Sequence, residues 1–405
     1  MILHPRPSPI AATMYQLRDM GVDAIIMHGP SGCCFRTARL LEIDGIRVFT
    51  TAMNENDFIF GATEKLKNVI DDVISYLREE DSKEPKNLKS SRLLKIGVVG
   101  TCASMIIGED ITGLNEEYGD NELILAVDIH SGLTDNTIGA IRAMESALDV
   151  NLISEEEFNR QVELLNKATE VEKAKGMAKK KYLKPTYDDD IDEVIKIFKE
   201  KIRNSNSSNS SSDLDNLNNV KSKPVIACVL NAKKETSYLF SHPIVEINKA
   251  FKDDAAIINI ANLDNSVGFE KVKNDAKNVL SEFKENGITI DYITGGLDEY
   301  PITGSKASEI LNKLSNSNNI DEIPDIIFVS GVPHALDDKV LSQIKEKNPN
   351  AVTVGISDGP RLYYPIKDMF DYGIIELDAH AKVLGKKNIV KSRFGELIKY
   401  TFYKE

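Results

Sequence analysis

Short apolar runs bounded by glycine, proline and polar residues alternate with amphipathic stretches along most of this chain, and the two periods mark strands and helices. In the first third, Ala24–Met27, Arg47–Thr51, Lys95–Val99 and Leu123–Asp128 read as strands. Pro9–Met20 predicts a helix closed by Gly21, with Ile10, Met14 and Leu17 on one face. Ala62–Glu80 predicts a longer one, with Leu66, Val69, Ile70, Val73, Ile74 and Leu77 at three-and-four spacing. Asp135 stands where it would cap a third helix, Asn136–Leu148. Alternation resumes at Pro224, with strands predicted at 224–230, 255–260, 288–293, 325–330, 351–356 and 373–377. The helices between them fall at 242–252, 267–286, 305–315, 337–347 and 379–386, and Ser392–Phe402 closes the chain as an amphipathic helix. Such alternation predicts a doubly wound α/β fold with parallel sheets.

The segment 151–222 breaks the pattern. Glu155–Lys181 predicts a charged helix, with Lys173, Lys175, Lys179, Lys180 and Lys181 crowding its end. Asp188, Asp189, Asp190 and Asp192 follow, then a helix to Arg203 and the polar tract Asn204–Ser212. That tract cannot bury apolar surface and is expected to be disordered. The reading adopted for the charge runs is a solvated arm and linker. The predicted divisions are therefore a first α/β domain over 1–150, the arm over 151–222, a second α/β domain over 223–320 and a third over 321–405.

Composition narrows the function. The 405 residues are enough for two or three domains, and a 41% hydrophobic content supports real cores. A formal net charge of −13 argues against nucleic acid or an anionic membrane as general partner. Met1–Leu17 shows no basic region followed by an apolar core, and no apolar run reaches about 18 residues, so a cytoplasmic protein is expected. Four cysteines in a reduced compartment are not a disulfide framework, and three of them fall in the first quarter of the chain.

Those three define the candidate chemistry. After strand Ala24–Met27, Gly29, Pro30 and Gly32 break the chain, and Cys33-Cys34 are expected to open a helix to Glu42. The same layout recurs after Lys95–Val99, where Thr101-Cys102 precede a helix-like Ala103–Ile107 and then Gly108-Glu109-Asp110. A thiol in a first helical turn is favoured as thiolate, and both junctions belong on the ligand-binding edge of a parallel sheet. Sulfur ligation points to an iron–sulfur cluster or zinc, but neither turn has the close cysteine pair of a zinc site. Adjacent Cys33 and Cys34 on a helix would diverge by about 100° and so not share one metal. No G-x-x-x-x-G-K-[ST] and no post-strand G-x-G-x-x-G occurs. Cys228 reads as core, and His28 and His130, at strand ends, as structural hydrogen-bonding groups. Arg6, Arg36, Arg39 and Arg361 are candidates for carboxylate recognition, with Arg361 in Ser357-Asp358-Gly359-Pro360-Arg361 the foremost.

His28-Gly29-Pro30-Ser31-Gly32-Cys33 resembles the H-G-P-x-G-C segment of the nitrogenase component 1 family, and Thr101-Cys102 with Gly108-Glu109-Asp110 resembles its T/E-C…G-D-D segment. The resemblance implies Rossmann-like α/β subdomains over nearly the whole chain outside 151–222. It also implies that Cys33 and Cys102 are ligands of a cluster between subunits; Cys34 has no clear family counterpart. Two features depart from true nitrogenases. The third cluster cysteine expected upstream of Cys33 is missing, and no cysteine–histidine pair for an iron–molybdenum cofactor is identifiable. The short chain and its opening Met1–Pro9 resemble the branch that forms the nitrogenase-like subunit of Ni-sirohydrochlorin a,c-diamide reductive cyclase. This implies reduction of a nickel tetrapyrrole and closure of a lactam ring, on the way to the coenzyme of methyl-coenzyme M reductase. A separate ATP-dependent 4Fe–4S reductase component would deliver the electrons. A 4Fe–4S cluster wants four thiolates and the register supplies two per chain, so the implied assembly is a homodimer sharing one cluster; counting Cys34 as well gives six. Another nitrogenase-like tetrapyrrole reductase, a cluster-assembly scaffold and a plain α/β binding protein with free thiols are the competing expectations.

Overall fold

The apolar run Ala24–Met27 forms a strand buried along its whole length (β1). In the computed structural model, which describes residues 8–83, 92–119, 121–133, 136–175, 185–203 and 223–403, β1 pairs in parallel with Arg47–Thr50 (β2) and Leu94–Val99 (β3). Glu122–Val127 (β4) extends the sheet beyond β3, giving the order β2-β1-β3-β4. The helices of this unit are α1 (Pro9–Asp19), α2 (Phe35–Ile43), α3 (Glu55–Phe60), α4 (Thr63–Lys83), α5 (Cys102–Ile107) and α6 (Asn136–Asp149), and α7 (Glu155–Ala174) begins in it. Strand periodicity sends alternate residues to opposite faces. Ala24, Ile26, Ile96 and Val98 join Leu66, Ile70, Val73 and Leu77 of α4 in one core. On the other face Gly97 leaves room for Leu17 of α1, whose Cδ1 lies 2.7 Å from where a Cβ would stand. α1 in turn packs on α6, where Thr13 Oγ1 donates to the Gly139 carbonyl at 2.9 Å.

The chain separates into two units, residues 4–165 with 269–271 and residues 166–268 with 272–405. The second unit holds β5 (Val225–Asn231), β6 (Ala256–Ala261), β7 (Tyr292–Ile293), β8 (Ile326–Gly331), β9 (Val352–Asp358) and β10 (Tyr372–Glu376). They form a single six-stranded sheet, order β10-β9-β8-β5-β6-β7, with every pairing parallel. The expected boundary between 320 and 321 is thus corrected. β5 is hydrogen-bonded to β6 on one side and β8 on the other, so strands from both predicted domains are built on the same central strand. The helices are α8 (Ile191–Phe198), α9 (Ser237–Phe251), α10 (Glu270–Glu285), α11 (Tyr300–Ser315), α12 (Asp338–Lys347), α13 (Gly359–Ile366), α14 (Ala379–Val383) and α15 (Arg393–Phe402). The strand expected at 288–293 shrinks to β7 because Asn259 N donates to the Asp291 side chain (2.7 Å) and Asn259 Nδ2 to the Thr289 carbonyl (3.0 Å), ahead of the ladder. No helix among the described residues is long and apolar enough to cross a membrane.

The solvated-arm reading also fails for 185–203. Asp190 accepts from Gly373 N (2.8 Å) and Tyr363 Oη (3.3 Å), while Asp189 accepts from Ile375 N (2.8 Å) and pairs with Arg393. Both aspartates satisfy N–H groups of β10, the open edge of the sheet, which would otherwise be left to water or to another chain. Directly behind them α8 buries Ile191, Val194, Ile195 and Phe198. The Phe198 ring stacks on Phe251 at 5.4 Å and meets Phe394 edge-on at 6.3 Å. The capping role of Asp135, most of the lysine cluster and the Asn204–Ser212 tract lie outside the described residues. Phe198→Ala is expected to cost about 3–5 kcal/mol in urea denaturation, the usual loss for a fully buried aromatic; a solvated linker residue would change stability by less than about 0.5 kcal/mol.

Candidate metal centre

The order β2-β1-β3-β4 reverses its winding between β1 and β3, and the two cysteine turns leave the sheet from those two strands. Beyond β1, His28 is fully buried and its ring is fixed at both ends. Nδ1 lies 3.2 Å from Thr51 Oγ1 and Nε2 lies 2.5 Å from Glu109 Oε2. Glu109 further accepts from Ala62 N and from Thr63 Oγ1 at 3.1 Å. Burial works against its charge, but the donors from His28, Ala62 and Thr63 outweigh it and hold the carboxyl below the ordinary glutamate range. Gly29 comes next. A Cβ there would stand 2.5 Å from Thr101 Oγ1, so no other residue lets the two turns approach as they do. Thr101 Oγ1 donates to the His28 carbonyl at 2.8 Å and accepts from Ala103 N at 3.2 Å, capping α5 and tying it to the first turn together.

The thiols sit on this frame. Cys33 N donates to the Pro30 carbonyl at 2.9 Å, closing a turn, and Cys34 is the N-cap of α2 with a left-handed backbone, φ 53°. Neither is helical, which corrects the expectation that they open the helix: the turn consumes both residues and the helix starts at Phe35. The helical divergence of about 100° therefore does not apply to this pair. Nor does the expected lowering of their thiols. Burial, then the neighbouring Cys102, pushes Cys33 up, and burial, then Cys33 and Cys102, pushes Cys34 up to about 11. Only Cys102 is lowered, and the first cause is Ser131: its Oγ lies 2.8 Å from Sγ and its N–H donates to the sulfur at 3.4 Å. All three thiols are free and half-buried, and each of the first two feels the charge of Cys102. Among the described residues no group of three or more His, Cys, Asp or Glu side chains could hold a metal ion by itself.

Other candidates fall elsewhere. Cys228 is fully buried within β5, and burial pushes its thiol up. His130 Nδ1 accepts from Gly132 N at 3.2 Å, a local turn contact. Arg39 pairs with Glu42 on the surface at 2.8 Å and Arg36 is exposed. Arg361 stands half-buried past β9 in the other unit, and Arg6 lies outside the described residues. Ser131 escaped the sequence reading because nothing local marks a serine after β4 as a partner of Cys102. α3 escaped it because its Phe58, Ile59 and Phe60 are consecutive and leave no helical period to see.

The comparisons with known proteins decide the family. Residues 8–185, which include both cysteine turns, match the family described as nitrogenase component 1 type oxidoreductase. Over 401 residues, 99% of each chain, the sequence is 56% identical to the Ni-sirohydrochlorin a,c-diamide reductive cyclase complex component CfbD of Methanocaldococcus jannaschii. The chain belongs to the CfbD family. The member from Methanothermobacter thermautotrophicus is 44% identical over 98% of each chain, and that from Methanosarcina acetivorans 38% identical over 98% of this chain and 96% of its own. A solved nitrogenase, Cp1 at pH 6.5, aligns over 91% of this chain and 85% of its own at 12% identity, with a TM-score of 0.30, and carries no argument at that value. The buried His28–Glu109 pair is the part of this edge most open to a direct test. Glu109→Gln is expected to cost about 1–3 kcal/mol near neutral pH. Because the folded carboxyl is held low, the wild-type advantage is full above about pH 4.3, the unfolded value, and is lost as pH falls through the folded one; thermal melts of both proteins across that window check it.

Proposed function

We propose that this chain is the nitrogenase-like component of an ATP-dependent reductive cyclase that reduces Ni-sirohydrochlorin a,c-diamide and closes its lactam ring. The observation that carries the reading is identity over nearly the full chain to a component of a complex so named. Cys33 and Cys102 would hold a 4Fe–4S cluster, whose chemistry is single-electron transfer. The donor set fits such a group in kind: free thiols, half-buried, at the winding reversal of a parallel sheet. It is incomplete in one chain, which supports a cluster shared between two copies. Cys34 is the alternative to Cys33, since the turn leaves both free.

The surface around the thiols supports a second copy as the occupant. Phe35, next to Cys34, is 68% exposed, and Ile106, on the helix that Cys102 begins, is also 68% exposed. α3 packs on that helix and carries Phe60 at 83% exposed. Apolar side chains so exposed beside an incomplete ligand set favour burial against another subunit. A twofold contact there brings two copies of each cysteine together, the commonest symmetry for such an assembly. The chain's own work is then to position the ligands through Gly29 and Thr101 and to hold the His28–Glu109 pair beneath them. ATP hydrolysis belongs to a separate reductase component, since this sequence has no phosphate-binding G-x-x-x-x-G-K-[ST] loop.

Anaerobic protein is expected to be brown, with about four irons per dimer. Cys102→Ala should abolish the cluster and Cys228→Ala should keep it, while Cys33→Ser and Cys34→Ser identify the second ligand. About four irons per monomer would rule out sharing, and a colourless reconstituted protein would overturn the metal reading. Ile106→Asp should lower dimer content in analytical ultracentrifugation and iron content together. Turnover of Ni-sirohydrochlorin a,c-diamide should need the reductase component, ATP and a strong reductant; turnover of a different tetrapyrrole, or release of the cluster to an acceptor protein without turnover, would favour the other members of the superfamily.

A further inference from the structure

The C-terminal sheet has its own winding reversal, between β5 and β8. Ligands in open α/β sheets bind beyond the carboxyl ends of the strands at such a point. Lys233 follows β5 there, His334 follows β8, and Arg361 follows β9. His334 is 1% exposed, and neither ring nitrogen has a hydrogen-bond partner. Burial, then Lys233, Lys175 and Arg361, pushes it down to about 3, so the ring is neutral and offers one N–H donor. The charges that bear on it are all positive. Lys175 is paired with Asp338 and Lys233 with Glu172 at 3.6 Å, the Lys233 ammonium also lying 5.0 Å over the Tyr300 ring. Burial opposes the Lys233 charge, but Tyr300, Glu172 and Glu235 more than restore it and raise the ammonium above its ordinary value. On the next strand end, His380 Nδ1 lies 3.1 Å from Asp358 Oδ2, so that acid is already engaged. Arg361 is half-buried and makes no ion pair or hydrogen bond among the described residues. The hydroxyl of Ser357, at the end of β9, is buried without a partner as well.

A buried imidazole with both nitrogens unmade is costly unless a ligand completes it. A guanidinium without a counter-ion next to it marks the ligand's charge, and its two-pronged donor geometry suits a carboxylate. We propose that the β5–β8 reversal of the C-terminal sheet is a carboxylate-binding site in which Arg361 neutralises the ligand and His334 donates its N–H to a carboxylate oxygen. Resting on the function proposed above, the ligand is an acidic side chain of the tetrapyrrole substrate. Its role is to orient the macrocycle, since an anionic side chain anchored at one point restricts how the bound ring can turn.

The test uses the full chain, two probes and the variant Arg361→Gln, which breaks no hydrogen bond or ion pair among the described residues. In the first arm, glutarate is titrated into protein carrying ¹³C-labelled histidine, and the His334 ring signal, assigned with His334→Gln, is followed by NMR. It is expected to shift in the wild type and to stay still in Arg361→Gln. A His334 signal unmoved by saturating glutarate in the wild type overturns the site. In the second arm, Ni-sirohydrochlorin a,c-diamide and its carboxylate methyl esters are bound to both proteins by absorbance titration. The free acid should bind Arg361→Gln about 10- to 100-fold more weakly than wild type, and the ester should bind the two proteins alike. Equal binding of the free acid to both proteins overturns the assignment of the substrate to this site while leaving the proposed function intact. A His334 shift with glutarate, together with no binding of the tetrapyrrole to the wild type, overturns the substrate reading and leaves the carboxylate site standing.

Discussion

The candidate metal edge depends on one close approach, the bare α-carbon of Gly29 against the side chain of Thr101. A Cβ at Gly29 would meet Thr101 Oγ1 at 2.5 Å and Cγ2 at 2.9 Å, so the two turns reach their spacing only because glycine has none. Thr101 then uses one oxygen twice, donating to the His28 carbonyl and capping the helix that begins at Cys102. A serine could make both hydrogen bonds, but it would lack the methyl that fills the space over Gly29. Packing and polarity are therefore satisfied by a single residue, and the sulfur positions follow from it.

Beneath that contact lies a buried charge. His28 is fully enclosed and Glu109 nearly so, and the pair is stable because every oxygen of the carboxylate has a donor: His28 on one, Ala62 and Thr63 on the other. Removing one partner from such a network leaves the other desolvated and unpaired, which costs more than the pair itself contributes. The network also links three pieces of chain distant in sequence, the β1 turn, the start of α4 and the loop after α5. The edge is rigid where its ligands are anchored and apolar where it faces outward.

The C-terminal unit applies the same accounting of polar groups with opposite results at its two ends. On the open strand β10, Asp189 and Asp190 take up N–H groups that pairing leaves over, and α8 seals the apolar surface behind them. At the β5–β8 reversal, His334, Ser357 and Arg361 keep donors and acceptors that no described residue uses. Acidic residues that look like a solvated run in the sequence are structural, whereas half-buried Arg361 keeps a charge that no described residue pairs.

Sequence alone determined the alternation of strands and helices, the parallel α/β class and the candidate ligands Cys33, Cys34 and Cys102, because these follow from local periodicity, turn residues and short motifs. It could not determine which strands share a sheet. That choice rests on pairing between segments far apart in the chain, and β5 accepting both β6 and β8 merged two predicted domains into one. Local pattern also misjudged Cys33 and Cys34, since a turn hydrogen bond to Pro30 and a left-handed residue at 34 postpone the helix to Phe35. The thiol energies were likewise beyond it: they depend on burial and on the nearness of Cys102 and Ser131, which only the folded sheet brings beside the first turn. Burial and through-space charge have no period along a chain, so tertiary structure decided them.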